Sequence, residues 1–332
     1  MAFTLFRQNQ ADVSLYISNY SIQLLELKST NPLIVNRFVE SYLPEGVMMD
    51  GSIKDAEKLS MIIDQCLSDW GLKKKKVRFI TPDSSVSVRK VKVPLELRED
   101  EIKGYLYLEL GNTIHLPFEE PVFDFVLLDE TESEKEILLF AAPEKVMKEY
   151  TALFDRVKLE ANVADLSSLS MYRLLYERQH TTEKENTLLI EVKLDSINFS
   201  IFEQLKPIFT RHMQLDGLAA REWAYQLDQE TQLYYQYELK NQEVLYVQFR
   251  DVVKEIEKII NFYRFTIHQG DRQITQVTLV GDNPYIDQLL TLVKDSIPSL
   301  PITHFADRIY TTKNMAVPSK FHTVLGLALK EV

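Results

Sequence analysis

The sequence predicts an α/β protein made of two related lobes, with a small α+β unit inserted in the first. Three observations carry this. Stretches of period-two alternation take turns with amphipathic stretches of period 3.6, so strands and helices are interleaved. The 332 residues suffice for two domains at ~150 residues each. Finally, Leu15-Tyr16-Ile17-Ser18-Asn19-Tyr20-Ser21-Ile22 lies over Ile190-Glu191-Val192-Lys193-Leu194-Asp195-Ser196-Ile197. Apolar positions, turn and following strand coincide, as expected of a duplicated domain with a cleft between the copies.

In the first lobe, residues 1–72, Val13 to Ile17 and Ser21 to Lys28 alternate around Ser18-Asn19-Tyr20, which predicts strand, tight turn and strand. Leu33 to Tyr42 is a third strand. Asp55 to Trp70 is a helix with Leu59, Ile62, Ile63, Cys66 and Leu67 on one face, stopped by Gly71. Residues 73–142 form the inserted unit. Val77 to Ile80 and Val86 to Val93 are strands, Glu99 to Leu110 is a helix, and Val122 to Asp129 with Glu136 to Ala142 is a hairpin across a polar turn. The run Lys73 to Lys76 reads as a solvated lead into a strand.

Residues 143–186 carry two helices linking the lobes, Pro143 to Val157 and Ser167 to Gln179, then the polar stretch His180 to Asn186. The second lobe, residues 187–321, opens with strands at Thr187 to Val192, Ile197 to Glu203 and Lys206 to Met213. Within it, about 218–268 reads as a helical subdomain. Trp223, Tyr225, Leu227, Tyr234, Tyr235 and Tyr237 lack interleaved basic residues and read as packing rather than a base-stacking surface. Val252, Ile256, Ile259, Ile260 and Tyr263 mark an amphipathic helix; Gln276 to Val280 is a strand ending at Gly281-Asp282-Asn283-Pro284, and Ile286 to Leu292 is helical. Residues 322–332 are a short apolar helix returning to the first lobe.

Composition excludes several classes. With 38 basic and 49 acidic residues the net charge is −11, unsuited to neutralising nucleic-acid phosphates. The single cysteine, Cys66, rules out an internal disulfide framework and a cysteine-based zinc site; on its apolar stripe it reads as a buried thiol. The opening MAFTLFRQNQADV has no basic region followed by a long apolar core, so no signal peptide is expected, and no apolar run approaches the ~20 residues of a bilayer span. There is no Gly-Lys pair for a phosphate loop, no G-x-S-x-G, HExxH or C-x-x-C, and His115, His180, His212, His268, His304 and His322 are scattered. Only 9 glycines are available for phosphate-cradling turns.

Four stretches carry a family resemblance: Val13 to Lys28; Leu43-Pro44-Glu45-Gly46 with Asp50-Gly51-Ser52-Ile53 and the strand ending Val91-Lys92-Val93-Pro94; Leu108 to Asp124 with Leu139-Phe140-Ala141-Ala142-Pro143; and Ser200 to Thr210 with Leu325-Gly326-Leu327-Ala328-Leu329. In these the chain resembles the type IV pilus assembly protein PilM family, relatives of the actin-like cell-division protein FtsA. The resemblance implies an actin-like (ribonuclease H-like) duplicated two-lobe fold, with residues 73–142 matching the inserted 1C subdomain, the second lobe 2A-like and about 218–268 2B-like.

The departures from that family's nucleotide-binding pattern bear on function. Nucleotide-binding relatives open each lobe with Asp-x-Gly, whose amides approach phosphate and whose Asp orders the metal shell. Here Tyr16 and Ser18 stand in the first hairpin, and Glu191 and Lys193 in the second. Gly217 and Gly281, the latter followed by Asp282, remain in the other loops. A degenerate, pseudo-ATPase cleft with no cofactor is expected, with Lys193 able to attract phosphate in the competing reading of ATP and Mg²⁺ binding. The resemblance further implies a cytoplasmic scaffold without catalytic or metal residues. It would bind the N-terminal cytoplasmic peptide of a PilN-like, single-pass inner-membrane protein, which holds it at the membrane. A pilus motor ATPase and platform protein are further partners by resemblance; nucleic acid and direct membrane insertion are not. Candidate peptide-groove walls, between the first lobe and the insert, are Arg89, Val91, Val93 and Pro94 with Leu106, Leu110 and Ile114. An active actin-like ATPase and an FtsA-like filament scaffold are the alternatives.

Overall fold

The computed structural model describes residues 13–72, 76–130, 134–227 and 234–331. Each lobe is built on a five-stranded sheet of the same plan. In the first, three antiparallel strands, Ile34–Tyr42, Ser21–Ser29 and Val13–Ile17, are followed by Lys76–Ile80 and Glu160–Asp165 in parallel. In the second, Lys206–Gln214, Ser196–Glu203 and Thr187–Val192 are antiparallel, then Gln276–Gly281 and Ile302–His304 run parallel. The echo extends to single hydrogen bonds. Ser18 N–H donates to Ser21 O at 2.8 Å and Lys193 N–H to Ser196 O at 2.9 Å; Leu43 N–H donates to Tyr20 O and Leu215 N–H to Asp195 O, both at 2.8 Å. The strands Thr187–Val192 and Ser196–Glu203 are buried along their whole length, the state expected of central strands covered on both faces.

Helices cover the sheets through their apolar faces. Ala56–Asp69 is capped by the Asp55 carboxylate, which accepts from Lys58 N–H at 2.9 Å. It packs Leu59, Ile63 and Leu67 against Leu15, Leu24 and Phe79 and against Tyr150, Leu153 and Phe154 of Glu144–Arg156. Gly71 stops the first of these at φ +68°. In the second lobe Gln242–Asn261, capped by Asn241, buries Phe249, Val252, Ile256 and Ile259 against Ile190, Phe199 and Leu279. A third cluster joins the lobes: Leu25 and Phe38 of the first and Leu189, Phe202 and Val280 of the second meet Met171, Leu175, Val324 and Leu325. The terminal helix His322–Ala328 lies so close on Ser167–Glu177 that a Cβ on Gly326 would stand 1.9 Å from Ser170 O.

His322 sits in this shared region, 2% exposed, with no partner for Nε2 among the described residues. Burial, opposed by the Asp307 carboxylate, holds its imidazole down to about 4. The folded state therefore binds fewer protons than the unfolded chain between about 6.5 and about 4, and stability falls as pH drops through that window. A His322→Gln variant is expected to flatten the acid limb of a melting-temperature profile by roughly 3 kcal/mol of proton linkage; an unchanged limb refutes the assignment.

Several sequence expectations change. Lys76–Ile80 pairs with Val13–Ile17 and Glu160–Asp165, so the inserted unit is shorter than 73–142. It consists of the sheet Ser87–Pro94, Glu134–Pro143, Pro121–Glu130 and the helix Glu99–Glu109. The first of the two expected linking helices, Glu144–Arg156, belongs to the first lobe's core, and the strand Glu160–Asp165, with its charged ends and small alanines, had no clear apolar alternation. The region about 218–268 is not helical throughout: Trp223–Leu227 pairs antiparallel with Tyr234–Leu239 before the helix begins, in keeping with the β preference of aromatic residues. Lys73 to Lys75 and the polar-turn residues 131–133 lie outside the described residues, as do the side chains of Leu227, Tyr234 and Tyr235.

Candidate functional site

Two features meet where the lobes face each other: a bridged cleft and an apolar groove. The cleft lies between the two hairpin turns and is crossed by paired side chains. Asn19 Nδ2 donates to Asp195 Oδ2 at 2.7 Å and the Tyr20 hydroxyl to Asp282 Oδ2 at 2.5 Å. Lys193 Nζ donates to Tyr16 Oη at 2.7 Å and to Asp83 Oδ2 at 2.6 Å, and Asn198 Nδ2 reaches the same Asp83 oxygen at 2.8 Å. His212 Nε2 lies 3.1 Å from Asp50 Oδ1. The space left between Tyr16, Ser18, Asp83, Lys193 and Asp195 is ≈ 30 Å³, room for about two water molecules.

The electrostatics follow from burial and pairing. Burial opposes ionisation of Asp83, yet the charge and hydrogen bond of Lys193 outweigh it and hold the carboxyl below its usual range. Burial disfavours the Lys193 ammonium, but the adjacent Asp83 carboxylate outweighs it and holds the ammonium well above its usual range. Burial pushes Glu191 up. The Ser167 hydroxyl lies between the two carboxyls, touching Asp83 Oδ1 at 2.6 Å and Glu191 Oε2. The Ser167 hydroxyl can donate to either carboxyl, and its single proton serves one of them at a time. At the centre of the site is the buried Lys193–Asp83 ion pair, tied by hydrogen bonds to Tyr16, Asn198 and Ser167.

Of the residues singled out from sequence, Tyr16, Ser18, Glu191, Lys193 and Asp282 meet around this cleft. Ser18 does not point across it; its hydroxyl accepts from Ser21 N–H at 2.9 Å and so closes its own turn. Gly281 carries φ +133°, and a Cβ there would stand 2.1 Å from Val192 O; Asp282 and Asn283 N–H both donate to that carbonyl at 3.2 Å. Burial raises Asp282 to about 6. Gly217, at φ +75°, shapes a turn beside Val244 and takes no part in the bridging. Sequence reasoning missed Asp83, Asn19, Asp195, Asn198 and His212. For Asp83 a signal existed: it follows the carboxyl end of a parallel strand, where α/β folds gather their functional groups.

An apolar groove lies between the insert and the two lobes, and the seven residues named from sequence as candidate groove walls do not line it. Val93, Leu106 and Ile114 are buried between the insert's sheet and its helix, with Val91 and Leu110 packed against them, while Arg89 and Pro94 are exposed. Alternation explains the difference: one face of that sheet is closed by Glu99–Glu109 and the opposite face is open. The open face presents Val122, Val126, Leu128, Leu138 and Phe140 to Met147, Leu166 and Leu169 of the first lobe and Leu205 and Pro207 of the second, around ≈ 580 Å³. Thr81, Val86 and Leu166 form its floor and adjoin the cleft residues Asp83 and Ser167.

No curated protein sequence matches the chain. Among solved structures, that of the PilM-PilN type IV pilus biogenesis complex matches with TM-score 0.75 and 18% identity, covering 96% of this chain and 98% of that one. A Bacteroides thetaiotaomicron protein of actin-like ATPase fold and unknown function matches with TM-score 0.50 and 11% identity, over 99% and 100% of the two chains. The ethanolamine utilization protein EutJ from Carboxydothermus hydrogenoformans matches with TM-score 0.50 and 12% identity, over 96% and 89%. At these identities the likeness establishes the actin-like fold. The family model for the type IV pilus assembly protein PilM matches residues 14–331, nearly the whole length, and the chain therefore belongs to the PilM family of type IV pilus assembly proteins.

Proposed function

We propose that this chain is a scaffold of type IV pilus assembly that seats the cytoplasmic N-terminal peptide of a PilN-like, single-pass inner-membrane protein in the apolar groove. The observation that carries the reading is the ≈ 580 Å³ groove itself, of a size and lining suited to a few apolar side chains of an extended segment. It fits the membership of the family, and a relative of this fold was solved as a PilM-PilN complex. Among the described residues no helix is long and apolar enough to cross a membrane, so the peptide would hold the chain at the cytoplasmic face of the inner membrane. Calorimetry of the full chain with that peptide tests the reading. Binding is expected, and Phe140→Asp, which places a charge in the groove wall, is expected to weaken it by ~100-fold. No binding, or binding indifferent to Phe140→Asp, overturns it.

The same reading gives the cleft no hydrolytic role. Tyr16 offers no carboxylate for a metal, Asp83 is committed to Lys193, and burial disfavours the charged form of Glu191. Among the described residues no group of three His, Cys, Asp or Glu is placed to hold a metal ion. These residues do not fit a magnesium nucleotide, and no catalytic step is assigned to them. Titration with a fluorescent ATP analogue and Mg²⁺ is expected to show no micromolar binding; binding abolished by Lys193→Glu restores the actin-like ATPase instead.

A further inference from the structure

The groove carries two charges that the protein itself does not neutralise. Lys206 lines it from the second lobe; its ammonium donates to Leu128 O at 2.9 Å and has no carboxylate partner among the described residues. Asp124 lines it from the insert, and among the described residues its carboxylate accepts only from Phe125 N–H, at 2.9 Å. The other charged groups of the wall are paired: Asp165 holds Arg173 at 3.0 Å and Lys330 at 3.2 Å. A charge beside apolar surface with no counter-ion is a site for one brought by a partner, because complementary charges orient a ligand and fix its register.

The strand geometry spaces these charges. Pro121–Glu130 is the edge of the insert's sheet, so its outer side is free to align an extended segment. Asp124, Val126 and Leu128 alternate onto its groove face, and a register slip between Leu127 and Asp129 leaves Leu128 without a ladder partner. Lys206 reaches that carbonyl from the other lobe. Asp124 and Leu128 are four residues apart, about 13 Å along the strand. We propose that the groove selects an extended peptide with an apolar side chain opposite Val126. Two residues to one side it carries a basic residue facing Asp124, and two residues to the other an acidic residue facing Lys206. The assignment rests on the groove being the seat of the PilN-like peptide, and it names that peptide's recognition pattern.

The test uses the full chain and the N-terminal cytoplasmic peptide of the PilN-like partner, with each charged peptide residue reversed in turn. One basic and one acidic position, four residues apart, are expected to lose ~10-fold in affinity each. Asp124→Lys restores the first reversal and Lys206→Glu the second. Lys206→Gln keeps a donor for Leu128 while removing the charge, and is expected to weaken the native peptide by the same factor. If the peptide binds and Phe140→Asp abolishes binding, but no reversal is rescued and Lys206→Gln is neutral, the charge pattern falls and the groove stands. If the native peptide does not bind, both fall.

Discussion

Replacing Lys193 with alanine is expected to lower stability by about 3–5 kcal/mol, because it leaves the Asp83 carboxylate buried without its cation. The two side chains are 9% and 15% exposed, so little solvent is at hand to replace the lost partner. Asp83 would keep Asn198 and Ser167 as donors, which sets the lower end of the range. Asp83→Ala is expected to cost as much, since it leaves the buried Lys193 ammonium beside Tyr16 without its carboxylate partner. The double variant Lys193→Met, Asp83→Leu removes both charges and is expected to cost much less than the sum of the two singles. Thermal melting of the four proteins reads this directly: each single variant should fall by roughly 5–10 °C, the double by less than either. A loss below about 1 kcal/mol in Lys193→Ala would mean the pair is solvated as a surface bridge is.

Gly281→Ala is expected to be the most damaging single methyl in the second lobe. Gly281 pairs with Val192 across two parallel strands, and a Cβ would meet Val192 O at 2.1 Å and Val192 C at 2.8 Å. Backbone, not a flexible side chain, is in the way, so the strands must part or the loop 281–283 must leave the hairpin. The φ of +133° adds strain for any other residue. A cost of about 4 kcal/mol or more is expected, read as loss of soluble protein or a large drop in melting temperature. Gly270→Ala is the control: its φ is also positive, at +101°, but nothing lies within 4 Å of the added carbon, and about 1 kcal/mol is expected. Equal behaviour of the two variants would show that contact with Val192 is not what selects glycine at 281.

Much of the fold was legible because local pattern and tertiary role agree. The hairpin Val13–Ile17 with Ser21–Ser29 alternates, turns on three polar or aromatic residues and is repeated at Thr187–Val192 with Ser196–Glu203. The apolar stripe Leu59, Ile63, Cys66, Leu67 announces the helix Ala56–Asp69, and Gly71 its end. Legibility failed where a segment takes its state from neighbours. Glu160–Asp165 is a strand because Lys76–Ile80 offers it an edge. The aromatic hairpin at Trp223–Leu227 packs Tyr225 on Tyr42 of the other lobe, ring centroids 4.2 Å apart. In the candidate site, Tyr16, Glu191 and Lys193 stood out by departing from the family's pattern; Asp83, which pairs with Lys193, carried only the positional signal of following a parallel strand.

By itself the sequence determined a duplicated α/β plan with one insert, because strand period and turn chemistry are local properties of a chain. Only the tertiary structure decided which side chains fill the cleft and which face of the insert is open. Lys193 meets Asp83 across 110 residues of sequence, and Lys206 meets Leu128 across 78. Alternation shows that a strand has two faces, but which face a helix covers, and which is left for a partner, depends on how elements distant in the chain pack against it.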